Sequence, residues 1–357
     1  MVRFMIEIDG SMGEGGGQIL RMSLALAAVL KEEVRVFNIR KKRSPPGLKA
    51  QHLSAVRAIA KITNAKLEGD SLGSEEIIFH PREIMGGNVR INIGTAGSIS
   101  LILQAILPAI CFAKDKVRLE IIGGTDVKWS PPVDYLIHVF SPIVKRMGAN
   151  INIKLIERGH YPKGGGLVVA EISPIDTLNS IKLMEQGKIT YIRGISHAHG
   201  LPRHVAIRQA RAAQEVLNSL NLSNIQIDIE SKENIPKRKS PGSGITLWTE
   251  TSTNTVLGSD SLGEKGKRAE IVGKEAAEKL VREIRSGATV DRHMADMLII
   301  WMLLAKGTST IKTSELTMHA KTCIDLAKIF TSTEIKIDEA KGDLVNLSIK
   351  GIGYERS

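Results

Sequence analysis

Apolar and polar positions along this chain follow a grammar that recurs three times. The opening MIEID alternates as a strand does, and GQILRMSLALAAVL then repeats its apolar positions at i, i+3 and i+4 as a helix does. The strand pattern VRVFNIR follows, then a polar loop, the helix pattern LKAQHLSAVRAIAKI and two strands, AKLEG and EIIFHP. The same order returns in NVRINIG, TAGSISLILQAILPAICFA, KVRLEIIGG, PVDYLIHVFSPIVKRMG, NINIKLIE and GLVVAEIS. A third pass runs through RHMADMLIIWMLLA, TSTIKTSE, MHAKTCIDLAKIF, TEIKIDEA and DLVNLSIKG.

The period is a βαβαββ unit of about 75–90 residues, with copies at about 1–82, 87–175 and 288–352. The rhythm breaks over 185–280, which holds KITYIRGISHA, the helix HVAIRQARAAQEVLNSL, the strands IQIDIES and GITLWTET, and the helix AEIVGKEAAEKLVREI. Its loop NIPKRKSPGSG is basic and rich in turn residues. The expected architecture is α/β (α+β). A large domain of three repeats, 1–184 and 281–357, forms lobes around a shared centre, and 185–280 forms a smaller inserted α/β domain.

At 42% hydrophobic and 24% charged residues, the composition is that of a soluble globular protein. The net charge of +11 favours polyanionic partners through phosphate neutralisation, although small anions would satisfy it too. The two cysteines, Cys111 and Cys323, lie in apolar helix patterns and read as buried thiols in a reducing compartment. MVRFMIEIDG lacks the apolar core of a signal peptide. LILQAILPAICFA, the most hydrophobic stretch, is too short to span a bilayer and contains Gln104. The expectation is a cytoplasmic protein with no membrane partner; the oligomeric state, monomer or homo-oligomer, is left open.

The stretch GSMGEGGGQILR crowds glycines around one carboxylate, Glu14, just ahead of a helix. It lacks the Gly-Lys-Ser/Thr of a Walker loop and the last glycine of G-x-G-x-x-G. What remains is a strand-to-helix turn with free N–H groups and Arg21 one turn inside, which suits an anion but is also what any tight turn needs. NIRKKRSPPGLKAQH brings Arg40, Arg43 and His52 close along the chain, and arginine suits bidentate phosphate contact, though a solvated basic run looks the same. His197 and His199 in SHAHG could ligate a metal, but no cysteine or acidic partner stands at ligand spacing, which argues against it. In DRHMADM, His293 and Asp296 share a face at a helix start. In LTMHAKT, His319 opens another helix after Thr317. A neutral imidazole there could attack phosphorus without first losing a proton, although such a histidine is more often a surface or capping residue.

Together, DGSMGEGGGQILR, NIRKKRSPPGLKAQHLSAV, IGTAGSISLILQ, GGTDVKWSPPVDY, GHYPKGGG, GSDSLGEKGKRAE, HMADM and LTMHAKT resemble the RNA 3′-terminal phosphate cyclases, in the family's order and over nearly the whole chain. The resemblance implies an ATP-dependent ligase of RNA processing. A histidine takes AMP from ATP, AMP passes to an RNA 3′-terminal phosphate, and the 2′-hydroxyl closes a 2′,3′-cyclic phosphate. It places the nucleophile on His319. Nucleotide-binding positions fall on Gln104, Pro131, His293, Met294, Ala295, Asp296 and Met297, and groups around the RNA phosphate on Arg21, Arg40, Arg43 and His52. Glu14 falls at the position of a ligand for Mg2+ or Mn2+. Many members carry Tyr at the position of His293 and Gln at that of Met297; an imidazole can still stack or hydrogen-bond, and the effect of both departures on adenine affinity and base selectivity is left open. With 4% aromatic residues, the chain is expected to grip the terminal phosphate and a few nucleotides rather than stack along a strand. Two other readings are a non-catalytic cyclase-like ribosome-assembly factor, which would lack His319, and a small-molecule transferase of the related repeat fold, which would need no enzyme–AMP.

Overall fold

The computed structural model describes residues 5–340 and 344–356; residues 1–4, at the head of the opening strand pattern, and Asp343, at the head of the last, fall outside them. The first unit comprises β1 (Ile6–Asp9), α1 (Gly17–Leu30), β2 (Val34–Phe37), α2 (Ala50–Ile62), β3 (Lys66–Glu68) and β4 (Ile77–His80). Its sheet has the order β1-β2-β4-β3, with β1 and β2 parallel and the other pairs antiparallel. A parallel pair needs a crossover, and α1 provides it, burying its apolar face on the sheet.

The second unit repeats this with β5 (Gly87–Asn92), α3 (Ile99–Ile110), β6 (Val117–Gly123), α4 (Val133–Tyr135), a π-helical turn (Leu136–Phe140), α5 (Ser141–Arg146), β7 (Asn150–Glu157) and β8 (Gly166–Ser173), in the order β5-β6-β8-β7. The wide turn stands just before Pro142, whose ring nitrogen has no hydrogen for the helical ladder.

The third unit departs from the sequence reading. Its first strand is β9 (Lys182–Leu183), two residues long, and the insert follows β9 directly. The insert contains β10 (Ile189–His199), α6 (His204–Leu217), β11 (Ile225–Lys232), β12 (Gly242–Thr251), β13 (Gly258–Leu262) and α7 (Ala269–Ser286), with sheet order β11-β10-β12-β13. The unit resumes with α8 (Arg292–Leu304), β14 (Lys306–Thr313), α9 (Met318–Phe330), β15 (Ile335–Glu339) and β16 (Val345–Ile352). β9 lies parallel to β14 in the order β9-β14-β16-β15, so this sheet has the topology of the other two. Two residues are too few to show alternation, and the insert separates them from their partner by over a hundred positions, which is why the sequence did not reveal them.

Side chains from all three units share one core, while α6, α7 and the insert's sheet enclose a smaller one. Helices of different units meet at the centre: α1 against α3 and α9, and α3 against α8. Their N-terminal turns open toward a common cleft. Among the described residues, no helix is long and apolar enough to cross a membrane.

Candidate functional site

The cleft, of about 350 Å³, is lined from α1 by Gln18 and Arg21, from α3 by Leu101 and Gln104, and from the loop after β6 by Trp129, Ser130 and Pro131. α8 contributes His293, Asp296 and Met297, α9 contributes His319, and the insert contributes Asp260 and Lys279.

The glycine turn brings α1 against the start of α2. A Cβ on Gly17 would stand 2.5 Å from His52 Nε2 and 3.0 Å from Arg21 Nη1, so only glycine permits this approach. His52 Nδ1 accepts the Lys49 amide at 3.3 Å, leaving the ring proton on Nε2. Burial, reinforced by Arg21, Arg40 and Lys49, pushes the His52 pKa down to about 4, so the ring is a neutral donor. Burial lowers the Arg21 pKa to about 10, which leaves the guanidinium charged. Its Nη2 donates to Gln18 Oε1 at 2.7 Å, and its buried Nε has no partner among the described residues. A charged guanidinium at the cleft wall beside a neutral N–H donor suits an anion.

Glu14 projects from the same turn. Its Oε2 lies 3.5 Å from His319 Nε2 and 3.9 Å from Arg43 Nη2. His319 is the second residue of α9, whose cap is Thr317; the Thr317 hydroxyl accepts the Ala320 amide at 3.0 Å. Burial outweighs the pull of Glu14 and holds the His319 pKa below its ordinary value, so the imidazole is neutral at pH 7 with a lone pair available. The Thr317 hydroxyl also donates to Asp296 Oδ1 at 2.6 Å, joining α8 to α9 behind His319. Burial pushes the Asp296 carboxyl up to about 7.

The structure divides the expected residues. Gln104, Pro131, His293, Asp296, Met297, Arg21 and His319 line the cleft, with His52, Glu14 and Arg43 alongside. Met294 and Ala295 do not join them: helical periodicity turns both side chains, each 0% exposed, into the core. Arg40 is also drawn away, because its buried Nη1 donates to the carbonyls of Pro45 (2.8 Å) and Gly47 (3.0 Å), bracing the basic loop from within.

Asp260, Lys279, Tyr135 and Asp291 had no assigned role in the sequence reading. Asp291 caps α8 by accepting the His293 and Met294 amides, and it also accepts the Gly258 amide of the insert at 2.9 Å and the Tyr135 hydroxyl at 2.7 and 2.8 Å. One carboxylate thus ties α4, α8 and β13 together at the cleft. An Asp just before a helix pattern is a legible cap signal; its other partners, 33 and 156 positions away, are not.

The sequence profile of the family described as RNA 3′-terminal phosphate cyclase matches residues 12–337. Curated relatives bearing that name include one from Ignicoccus hospitalis, 49% identical over 99% of this chain and 100% of its own. Another, from Staphylothermus marinus, is 51% identical over 98% and 99% of the two chains, and one from Pyrococcus furiosus is 48% identical over 95% and 96%. Among solved structures, an EPSP synthase from Acinetobacter baumannii aligns with 98% of this chain and 66% of its own at 9% identity and a TM-score of 0.25, too low to support any conclusion.

Proposed function

The chain belongs to the RNA 3′-terminal phosphate cyclase family, and from that premise we propose that it converts an RNA 3′-terminal phosphate to a 2′,3′-cyclic phosphate, using ATP and a covalent His319–AMP. In the first step the neutral His319 ring attacks the α-phosphorus of ATP. A P–N bond forms and the P–O bond to pyrophosphate breaks. In the second step an oxygen of the RNA 3′-phosphate displaces the imidazole and carries AMP away as an anhydride. In the third, the neighbouring 2′-hydroxyl attacks the activated 3′-phosphorus, loses its proton, and AMP leaves.

The observation that carries this reading is the neutral, half-exposed His319 on a wall shared by the cleft and the anion subsite of Arg21 and His52. The nucleotide would lie in the cleft against Gln104, Pro131, His293 and Met297, and the RNA phosphate near Arg21, His52 and Arg43. Each transfer spreads negative charge over phosphoryl oxygens, and donors fixed beforehand stabilise it. Glu14 fits as one ligand of Mg2+ or Mn2+, since such ions are commonly held by one or two carboxylates and complete their shells with phosphate and water oxygens. The ion would supply further neutralisation of phosphate charge. The physiological setting proposed is the cytoplasm.

Intact-protein mass after incubation with ATP and Mg2+, without RNA, tests the covalent step. One added AMP on the wild type and none on His319→Ala is expected. Equal labelling of both would exclude His319 as nucleophile, and no adduct with any nucleotide or metal would remove the catalytic reading.

A further inference from the structure

Below the loop that carries Trp129 and Pro131, a second cluster of ionisable side chains lies buried where the insert meets the second unit. Asp126 comes from the loop after β6, His160 from the connection between β7 and β8, and His197 from β10; all three are at most 5% exposed. The Nε2 atoms of the two histidines face each other at 3.1 Å. Carboxylate oxygens of Asp126 lie 3.8 Å from His197 Nε2 and 4.0 Å from His160 Nε2. One ligand atom from each residue lies within 4.8 Å of the others.

Two features make this more than a buried polar contact. The first is space: a Cβ on Gly242 would run into the ring of His160, so β12 must carry glycine there for the imidazole to reach His197. The second is charge. Arg158 donates from Nη1 to both oxygens of Asp126 at 3.3 Å and from Nε and Nη2 to Glu230, and its Nη2 lies 2.8 Å from Asp134. Two buried carboxylates, Asp126 and Asp134, therefore share this guanidinium with the more exposed Glu230, which also lies 2.8 Å from His199 Nε2. Buried charge without compensation is costly, and a divalent cation would supply the balance.

We propose that Asp126, His160 and His197 form a structural transition-metal site, best suited to Zn2+, that staples the insert to the body of the protein. Neutral imidazole is the ligand form, and two imidazoles with a carboxylate suit zinc far better than Mg2+ or Ca2+, which prefer all-oxygen shells. Zinc–nitrogen bonds of about 2.0–2.1 Å are compatible with nitrogens this close together. The Asp126 carboxylate is oriented from outside the site by the Thr125 hydroxyl at 2.6 Å and by Arg158, the kind of support metal-binding carboxylates receive. Asp126 also begins the segment leading to Trp129 and Pro131, so the metal would fix one wall of the cleft. The sequence reading rejected a metal at SHAHG for want of an acidic partner; the fold brings one from 71 positions away, together with a third histidine.

The test is metal content by mass spectrometry of the untagged full chain, saturated with Zn2+ and freed of excess by dialysis. About one zinc per chain is expected in the wild type and in Glu14→Gln, with at least a tenfold loss of occupancy in Asp126→Asn and in the double variant His160→Gln/His197→Gln. Wild-type protein loaded with Co2+ provides a readout that does not depend on folding of the variants. The expected result is visible d–d absorption, and X-ray absorption showing two imidazoles in a nitrogen/oxygen shell. A wild type that retains no stoichiometric zinc overturns the proposal. So do full occupancy in the double variant, loss of zinc on Glu14→Gln, and a cobalt spectrum without imidazole ligands.

Discussion

The Thr317 hydroxyl donates to Asp296 Oδ1 at 2.6 Å while it accepts the Ala320 amide at the start of α9. One side chain both caps the helix that presents His319 and fastens it to α8. Removing the hydroxyl frees the first turn of α9 and leaves the half-buried Asp296 without its donor. Thr317→Val is therefore expected to slow AMP labelling about tenfold, some 1.4 kcal/mol in the barrier, while Thr317→Ser retains most of the rate. Single-turnover labelling with radioactive ATP measures both.

The pH dependence of labelling follows from His319. Its pKa is depressed by burial, so the neutral ring, the form the proposed attack needs, is already dominant at pH 7. The rate should be flat on the alkaline side and fall only as pH drops below the ordinary histidine range. A rate that still rises with ionisation of a group above pH 7 in Asp296→Asn would contradict this, because that variant removes the carboxyl that titrates at about 7.

Asp296 also leaves a mark on stability. Its native pKa is raised from 3.8 to about 7, so between those values the folded protein binds more protons than the unfolded chain. Stability from this group is present below the unfolded value and is lost as pH rises toward 7. The Tm of Asp296→Asn relative to wild type should be higher at pH 8 than at pH 5, and calorimetry at the two pH values tests the sign.

In the proposed arrangement Arg43 and His52 stand on the RNA side of His319. Arg43→Ala and His52→Ala are expected to label with AMP at near wild-type rates but to form cyclic phosphate slowly from an RNA 3′-phosphate. Gly17→Ala should behave like His52→Ala, since its methyl group would occupy the space of His52 Nε2. Equal loss of both steps, followed by gel assay and by mass, would contradict the division of the site.

Tyr135→Phe removes the phenol that bonds both oxygens of the Asp291 carboxylate. Loss of a hydrogen bond to a buried charged group costs about 1.5–3 kcal/mol, and urea denaturation should show that reduction. Lys279→Ala, at the cleft wall contributed by the insert, should weaken ATP binding and raise its KM without abolishing AMP transfer.

Local pattern carried much of this protein. The period-two runs of β5 to β8 and the apolar stripes of α1, α3 and α9 appear in the chain as they appear in the fold, because burial of one face imposes a repeat on neighbouring residues. His319 was legible for the same reason: Thr317 and the helix pattern that follows it mark a cap. The stretch 293–297 was legible only as a block. The register of α8 then decided that His293, Asp296 and Met297 face the cleft and that Met294 and Ala295 face the core.

By itself the sequence determined the repeated unit, the family, the helix starts and the residue types able to hold phosphate. Each of these depends on residues close together in the chain or on motifs in a fixed order. Tertiary structure decided which of those residues meet. It set His319 against Glu14 across 305 positions, turned Arg40 inward to brace its own loop, and added Asp260 and Lys279 from the insert. It also gathered Asp126, His160 and His197 from three separate elements. Such convergence is fixed by how sheets and helices pack in three dimensions, and side-chain spacing along one strand or helix holds no record of it.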